Sequence, residues 1–382
     1  MSTSTFKSFL ILASLIALIG CQSVNVGSVE LGQSSNKQIT ILDNPEKITY
    51  EKSSIDALVR LDDVRGMDWI SEDEIIVDKE NTDFPPEEAE GAQWYPHNLY
   101  IQSLQSGAQT ALYPENRNQG FAQVSPDKSK LFYKTFDLQA NTGQGYLMDI
   151  PTRKTFAFTE RDAMEVGNGR WVDNNSLVYA SIEGTIYFAN VDIPQPKKLI
   201  ETRIPFISNI SYLNNKLYYT TPYNDKNTAN LLFGSPKEKQ VASSLDKVLS
   251  VVPSPDDQKL AIVRRIKSGA VELLITDLQG NILTAVAQDS QIFGTAWSPD
   301  GTRLAYAALG YSGVLRGIYV ADESTGLSNA LSVDIKFISD TLQWSPTGNR
   351  LMITSTQPDE QKNRNRFVTY LVRVNASSNT KR

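Results

Sequence analysis

The sequence predicts an all-β chain folded as a seven-bladed β-propeller. Three observations carry that expectation: a turn followed by a short alternating strand recurs seven times, the copies keep a regular interval, and further strand-like segments follow each copy. The copies begin at Trp69, Val124, Trp171, Tyr212, Pro253, Trp297 and Trp344. Their spacing runs from 41 residues (Trp171 to Tyr212) to 55 (Trp69 to Val124), the period of four-stranded blades. Helical solenoid units would show a 3.6-residue apolar rhythm instead.

Each part of the unit has a physical reason. In the clearest copy, WSPDGTRLAYAA from Trp297, Pro299 presets the backbone for a type I turn, Asp300 suits the second central position and Gly301 closes the corner. The strand that follows shows one apolar face through Leu304, Tyr306 and Ala308, and the aromatic ahead of the turn can fill the space between neighbouring sheets. A third strand comes after a connection of variable length, as in NLYIQSL from Asn98 and ELLITDL from Glu272. A weaker fourth closes the unit, as in TALY from Thr110, KKLIE from Lys197 and KQVAS from Lys239.

The seventh unit has no fourth strand of its own, since only NASSNTKR follows Val374. Ahead of the first copy, ALVRL from Ala57 to Leu61 has the spacing of a fourth strand. The N-terminal strand is therefore expected to complete the last blade and close the ring, which removes an open sheet edge. This divides the chain into a targeting segment (1–20), a tether (21–38), an extra N-terminal segment (39–56), the propeller (57–375) and a tail (376–382).

The N-terminus reads MSTSTFKSFLILASLIALIGC. Lys7 precedes an apolar run from Phe9 to Ile19 that is too short to span a bilayer, which takes about 20 residues, and that fits a signal-peptide core. The ending Leu18-Ile19-Gly20-Cys21 resembles the lipobox of bacterial lipoproteins. That resemblance implies cleavage before Cys21, a diacylglycerol on its thiol and an extracytoplasmic, membrane-anchored body. An ordinary signal peptide or a buried N-terminal helix are the alternatives. Cys21 is the only cysteine, so no intramolecular disulfide can use it. The polar stretch after it, QSVNVGSVELGQSSNKQ, suits a flexible tether.

The Ser-Pro-Asp-Gly turn with its alternating strand resembles the WD-related repeat of TolB-like β-propellers, across roughly Ala57 to Val374. Val124 to Asp127, Pro253 to Asp256 and Trp297 to Gly301 match it best, whereas the units at Trp69, Trp171 and Tyr212 have lost the proline. That family implies six blades, the alternative to the seven counted here.

Function is less legible. A formal net charge of −6 argues against nucleic acid as a partner. The single histidine, His97, cannot supply a zinc site, and a serine peptidase is disfavoured because GYSG at Gly310 lacks the closing glycine of a nucleophile elbow. No cofactor, metal or catalytic residue is expected, and the chain is read as a non-enzyme. Calcium at the carboxylate-rich stretch Asp78 to Gly91 is left open against a plain solvated loop.

Trp94 is the one tryptophan outside the repeat register, and with Tyr95 and His97 it ends that same long connection. Connections between second and third strands all emerge on one face with those joining successive blades, so this face is the expected working surface. Its charges divide: Glu80, Asp83, Glu87, Glu88 and Glu90 lie in the first unit, with Arg264, Arg265, Lys267, Arg316, Lys362, Arg364 and Arg366 in the last three. The candidate binding residues are Trp94, Tyr95, His97, Arg264, Arg265, Arg316, Arg364 and Arg366. The leading reading is a scaffold for an envelope or secreted protein partner. The alternatives are a carbohydrate or small-ligand binder using the central mouth, and a glycan-active enzyme with carboxylate chemistry.

Overall fold

The protein is described from a computed structural model, which covers residues 58–374 apart from 90, 138–140, 162, 223–229, 237–242, 311 and 332–334. Cys21, the apolar run, the tether and the 39–56 segment lie outside the described residues, as does the tail. No helix among the described residues is long and apolar enough to cross a membrane.

Seven antiparallel sheets form a closed ring. Blade 1 comprises Arg65–Trp69, Glu74–Glu80, His97–Ser103 and Gln109–Ala111. Blade 2 has Asn118–Val124, Lys130–Phe136, Thr142–Asp149 and Thr155–Ala157, with the short strand Met164–Glu165 added to its third. Blade 3 is built from Arg170–Trp171, Ser176–Ala180, Thr185–Asn190 and Ile193–Glu201, and blade 4 from Ser208–Leu213, Lys216–Thr220, Asn230–Gly234 and Ser243–Asp246. Blade 5 runs through Val248–Pro253, Lys259–Lys267, Ala270–Asp277 and Ile282–Asp289, and blade 6 through Gln291–Trp297, Arg303–Leu309, Leu315–Asp322 and Ser328–Leu331. Gln343–Trp344, Arg350–Asp359 and Arg364–Arg373 make blade 7, and its fourth strand is Leu58–Asp62 from the opposite end of the chain. Leu58 pairs with Val372 and Asp62 with Val368, which is the closure the spacing of ALVRL predicts.

First strands of neighbouring blades lie against one another around the axis, while fourth strands are the exposed rim. The core is a set of layers between blades: Ile76, Leu99, Leu131 and Tyr133 pack between blades 1 and 2, and Ala305, Ile318, Leu351 and Ile353 between blades 6 and 7. Alternation sends successive residues of a second strand to opposite neighbours, so both faces of every sheet are covered.

The turns behave as their composition dictates. Ser298 Oγ donates to Asp300 and accepts from the Arg303 amide at 2.9 Å, and Gly301 takes φ +70° as its amide closes on Ser298 at 2.8 Å. Blades 2 and 5 make the same turn with Lys128 and Asp257 at that left-handed position.

The anchor tryptophans form a relay. Trp297 Nε1 donates to the Val252 carbonyl, Trp344 to Ala296 and Trp171 to Gln123, in each case the residue just before the preceding blade's anchor. Trp69 does the same to Gln343 and carries the relay across the closure. Each buried aromatic removes about 150–250 Å² from water, on the order of 4–6 kcal/mol of transfer free energy before ordering costs.

Candidate functional site

On the face bearing the second-to-third and blade-to-blade connections, the blade 1 connection, residues 81–96, is long enough to carry strands of its own. The blade 1 connection contains a hairpin, Glu87–Ala89 against Ala92–Trp94, turned at Gly91 with φ +76°. Its base is closed by the Asn81 amide on the Pro96 carbonyl at 2.8 Å. Fully buried Asn98 then ties the insertion to the next connection: its Nδ2 donates to the carbonyls of Glu115 and Arg117 at 3.0 and 3.1 Å. The His97 amide donates to Asn118 Oδ1 at 3.0 Å. These amides satisfy buried backbone groups and thereby fix Arg117 and Asn118 beside the hairpin.

Between hairpin and blade 2 lies a cleft of about 50 Å³ lined by Trp94, Phe136, Arg117, Asn118, Glu87 and Asp137, with Pro85 and Pro96 at its edge. The Arg364 guanidinium lies 4.9 Å from the Trp94 ring centre. Arg364 is itself buried and ion-paired to Glu80, which also meets Lys362 at 3.4 Å. Asp137 pairs with Arg161 at 3.3 Å, whereas among the described residues no carboxylate lies within ion-pair distance of Arg117.

Nearer the ring closure, Arg65 grips Asp340 with two bonds of 2.6 and 3.0 Å and approaches Asp78 at 3.8 Å. Its guanidinium lies between the rings of Phe121 and Phe367, at 4.6 and 5.1 Å. Burial alone would push this guanidinium down, but Asp340 and Asp78 hold it above its ordinary range. Asp78, 2% exposed, accepts from His97 Nδ1 at 2.8 Å. A carboxylate on Nδ1 fixes the tautomer and leaves Nε2 as the nitrogen for proton exchange, so this pair has the parts of a general acid–base dyad. In blade 2, fully buried Lys134 donates to the Phe121 carbonyl at 3.2 Å and lies over the Phe132 ring, and burial pushes its ammonium down to about 7.

Of the residues singled out in the sequence, Trp94 lines the cleft, His97 joins the Asp78–Arg65 group, and Arg364 lies over the Trp94 ring while pairing with Glu80. Tyr95 is half-buried in the strand-linking turn. The cations of the last three blades are engaged by the fold: Arg264 with Glu272, Arg316 with Asp289 and Arg366 with Asp62 and Asp63, while Arg265 also has an interaction. The division of charge seen along the chain is drawn together at one point, where Glu80 of blade 1 meets Lys362 and Arg364 of blade 7. Among the described residues no three His, Cys, Asp or Glu side chains group so as to hold a metal ion, and in the acidic stretch Asp78 and Glu80 are committed to cations.

Arg65, Arg117, Asp340 and Asn98 carry no periodic signature in the sequence. Lys134 does: in KLFYKTF it shares a face with Phe132 and Phe136, an inward position where a charge stands out.

No family model matches the chain, and no curated protein matches it. Solved structures do. The oligogalacturonate lyase from Vibrio parahaemolyticus is 11% identical, with 86% of this chain and 100% of that chain covered at a TM-score of 0.59, and an oligogalacturonate lyase in complex with manganese is 12% identical over 84% and 91% at 0.58. A chain of the mitotic checkpoint complex is 14% identical over 92% and 99%, with a TM-score of 0.55. TolB from Acinetobacter baumannii is 17% identical over 78% and 63%, at 0.46. The lyases overturn the expectation that the chain is not an enzyme. That expectation rested on the lack of a hydrolase triad and of zinc histidines, and an enzyme with neither an appended hydrolase domain nor greater length shares this fold. At these identities the likeness is one of fold: the chain is a seven-bladed β-propeller similar to those of the lyases and the checkpoint protein.

Proposed function

We propose that the protein is tethered to a bacterial membrane by a lipid on Cys21 and uses the connection-bearing face of its propeller to bind an extracytoplasmic protein. The observation that carries the partner is where apolar side chains stay in water. Among the described residues six of the thirteen exposed large apolar side chains, Tyr113, Phe206, Ile266, Phe293, Val314 and Phe337, belong to this face, while the others lie on the outer strands or, for Leu327, on the opposite face. Leu315 donates its amide to the Lys336 carbonyl at 2.9 Å, which sets the chain at Val314 beside the chain at Phe337. Single exposed apolar residues are ordinary, but Val314 and Phe337 set side by side next to the exposed Lys336 suit a partner with an apolar centre and an acidic border.

A photo-crosslinking residue at Phe337 or Val314 in intact cells is expected to give one discrete adduct, and the same probe at Leu327, exposed on the opposite face, none. Equal labelling from both faces counts against the reading. For the tether, Cys21→Ala is expected to leave the precursor uncleaved or release the protein from membranes. A processed mutant protein that stays membrane-bound removes the lipid from the account.

A further inference from the structure

The cleft between the blade 1 hairpin and blade 2 has a composition that a protein-docking face does not require. One side offers N–H donors from Arg117 and Asn118, another offers carboxylate oxygens from Glu87 and Asp137, and Trp94 and Phe136 supply ring surface. Hydroxyl groups both donate and accept, and a sugar ring carries several of them around a C–H face that packs on an aromatic plane. An anion would meet Glu87 and Asp137, and a cation would meet Arg117. A neutral polyol satisfies both walls.

We propose that this cleft binds a neutral sugar residue, with its C–H face on Trp94 and its hydroxyls shared between Arg117 and Asn118 on one side and Glu87 and Asp137 on the other. A cavity needs roughly 10–15 Å³ per water, so the 50 Å³ here holds about three to five. That admits one edge of a ring while the remainder lies along the open surface, as for a terminal or looped-out unit of an oligosaccharide. The site is preorganised: Asn98 holds the Arg117 backbone, and Arg364 holds the Trp94 ring from its own pairing with Glu80. A shallow, wet site of this kind binds weakly, with a Kd of about 0.1–1 mM. The inference does not depend on the protein partner, whose contact is centred on Val314 and Phe337.

The test is titration calorimetry of the full chain with neutral gluco-, galacto- and manno-oligosaccharides, alongside galacturonate and glucosamine oligomers. At least one neutral series is expected to bind saturably. Trp94→Ala should weaken it about tenfold or more, Trp94→Phe should retain most of the affinity, Arg117→Ala should lose several-fold, and Leu327→Ala, exposed on the opposite face, should change nothing. Should Trp94→Ala fail to fold, Phe136→Ala and Arg117→Ala decide in its place. Binding by the charged oligomers alone, no saturation up to about 10 mM, or affinity indifferent to Trp94 and Arg117 overturns the proposal. Loss of crosslinking at Phe337 would leave it untouched.

Discussion

Trp69 donates its indole N–H to the carbonyl of Gln343, 274 residues later, at 3.3 Å. This is the same bond that links neighbouring blades elsewhere, so the ring joins its two ends with the device it uses between consecutive units. Trp69 is 1% exposed, whereas Trp171, in the equivalent place, is half-buried. Trp69→Phe is expected to cost about 1–3 kcal/mol, from a lost hydrogen bond and lost volume in a site that cannot collapse. Trp171→Phe should cost less. Urea unfolding midpoints of the two variants check the order.

Arg65 and Asp340 form a largely buried pair, 14% and 20% exposed at their side chains. Such pairs are expensive to break and cheap to replace. Asp340→Ala is expected to destabilise by about 3–5 kcal/mol, because Arg65 keeps its charge between two phenylalanine rings with only Asp78 at 3.8 Å. Arg65→Met combined with Asp340→Leu should recover most of that loss. A double variant no better than the single one would locate the cost elsewhere.

Lys134 sets a slope in the stability curve. Its folded-state value of about 7 lies below the unfolded value of 10.5, so between these limits the unfolded chain holds the extra proton and stability rises with pH. Below pH 7 the full penalty of burying the ammonium remains. Lys134→Met is expected to be more stable at pH 7, by on the order of 1–4 kcal/mol, with the advantage shrinking toward pH 10. Thermal melts of both proteins across that range read the difference directly, and parallel curves would contradict it.

Two glycines separate space from conformation. Gly184 has φ +86° and a Cβ there would meet the Ile204 carbonyl oxygen at 2.0 Å, whereas Gly107 has φ +73° with nothing within 4 Å. Gly107→Ala should cost about 1 kcal/mol from backbone strain alone. Gly184→Ala should cost more than about 2 kcal/mol, since backbone must move as well. Equal effects would mean that the Ile204 segment gives way easily.

The blades were legible because their signals are local: a Ser-Pro-Asp-Gly turn, a period-2 strand and an aromatic anchor lie within a dozen residues. Closure was legible too, since an unpaired ALVRL had a place to go in a blade short of one strand. The hairpin at Glu87–Trp94 was not, because three-residue strands leave no period to read. The Arg65 group joins positions near 65, 78, 97, 121, 340 and 367, and nothing in any one segment marks it. The cations of blades 5 to 7 looked available in sequence because their carboxylate partners sit on a paired strand, as Glu272 for Arg264, or on the next blade, as Asp289 for Arg316. Trp94 stood out because an aromatic outside the anchor register has no assigned gap between blades, and it lines the cleft beside blade 2.

The strand Leu58–Asp62 is made before the first six blades, and its partner, Arg364–Arg373, after them. At about 5–20 residues per second, some 15–60 seconds of translation separate the two. Throughout that interval six sheets can assemble in order, yet the strand Leu58–Asp62 waits with its backbone donors and acceptors unclaimed. Any ribosome that stalls before Arg364 leaves a curved stack with both ends open, ready to pair with a second such fragment. The geometry that joins the two ends of the ring within one blade therefore makes the synthesis of Arg364–Arg373 the step on which the whole molecule's solubility turns.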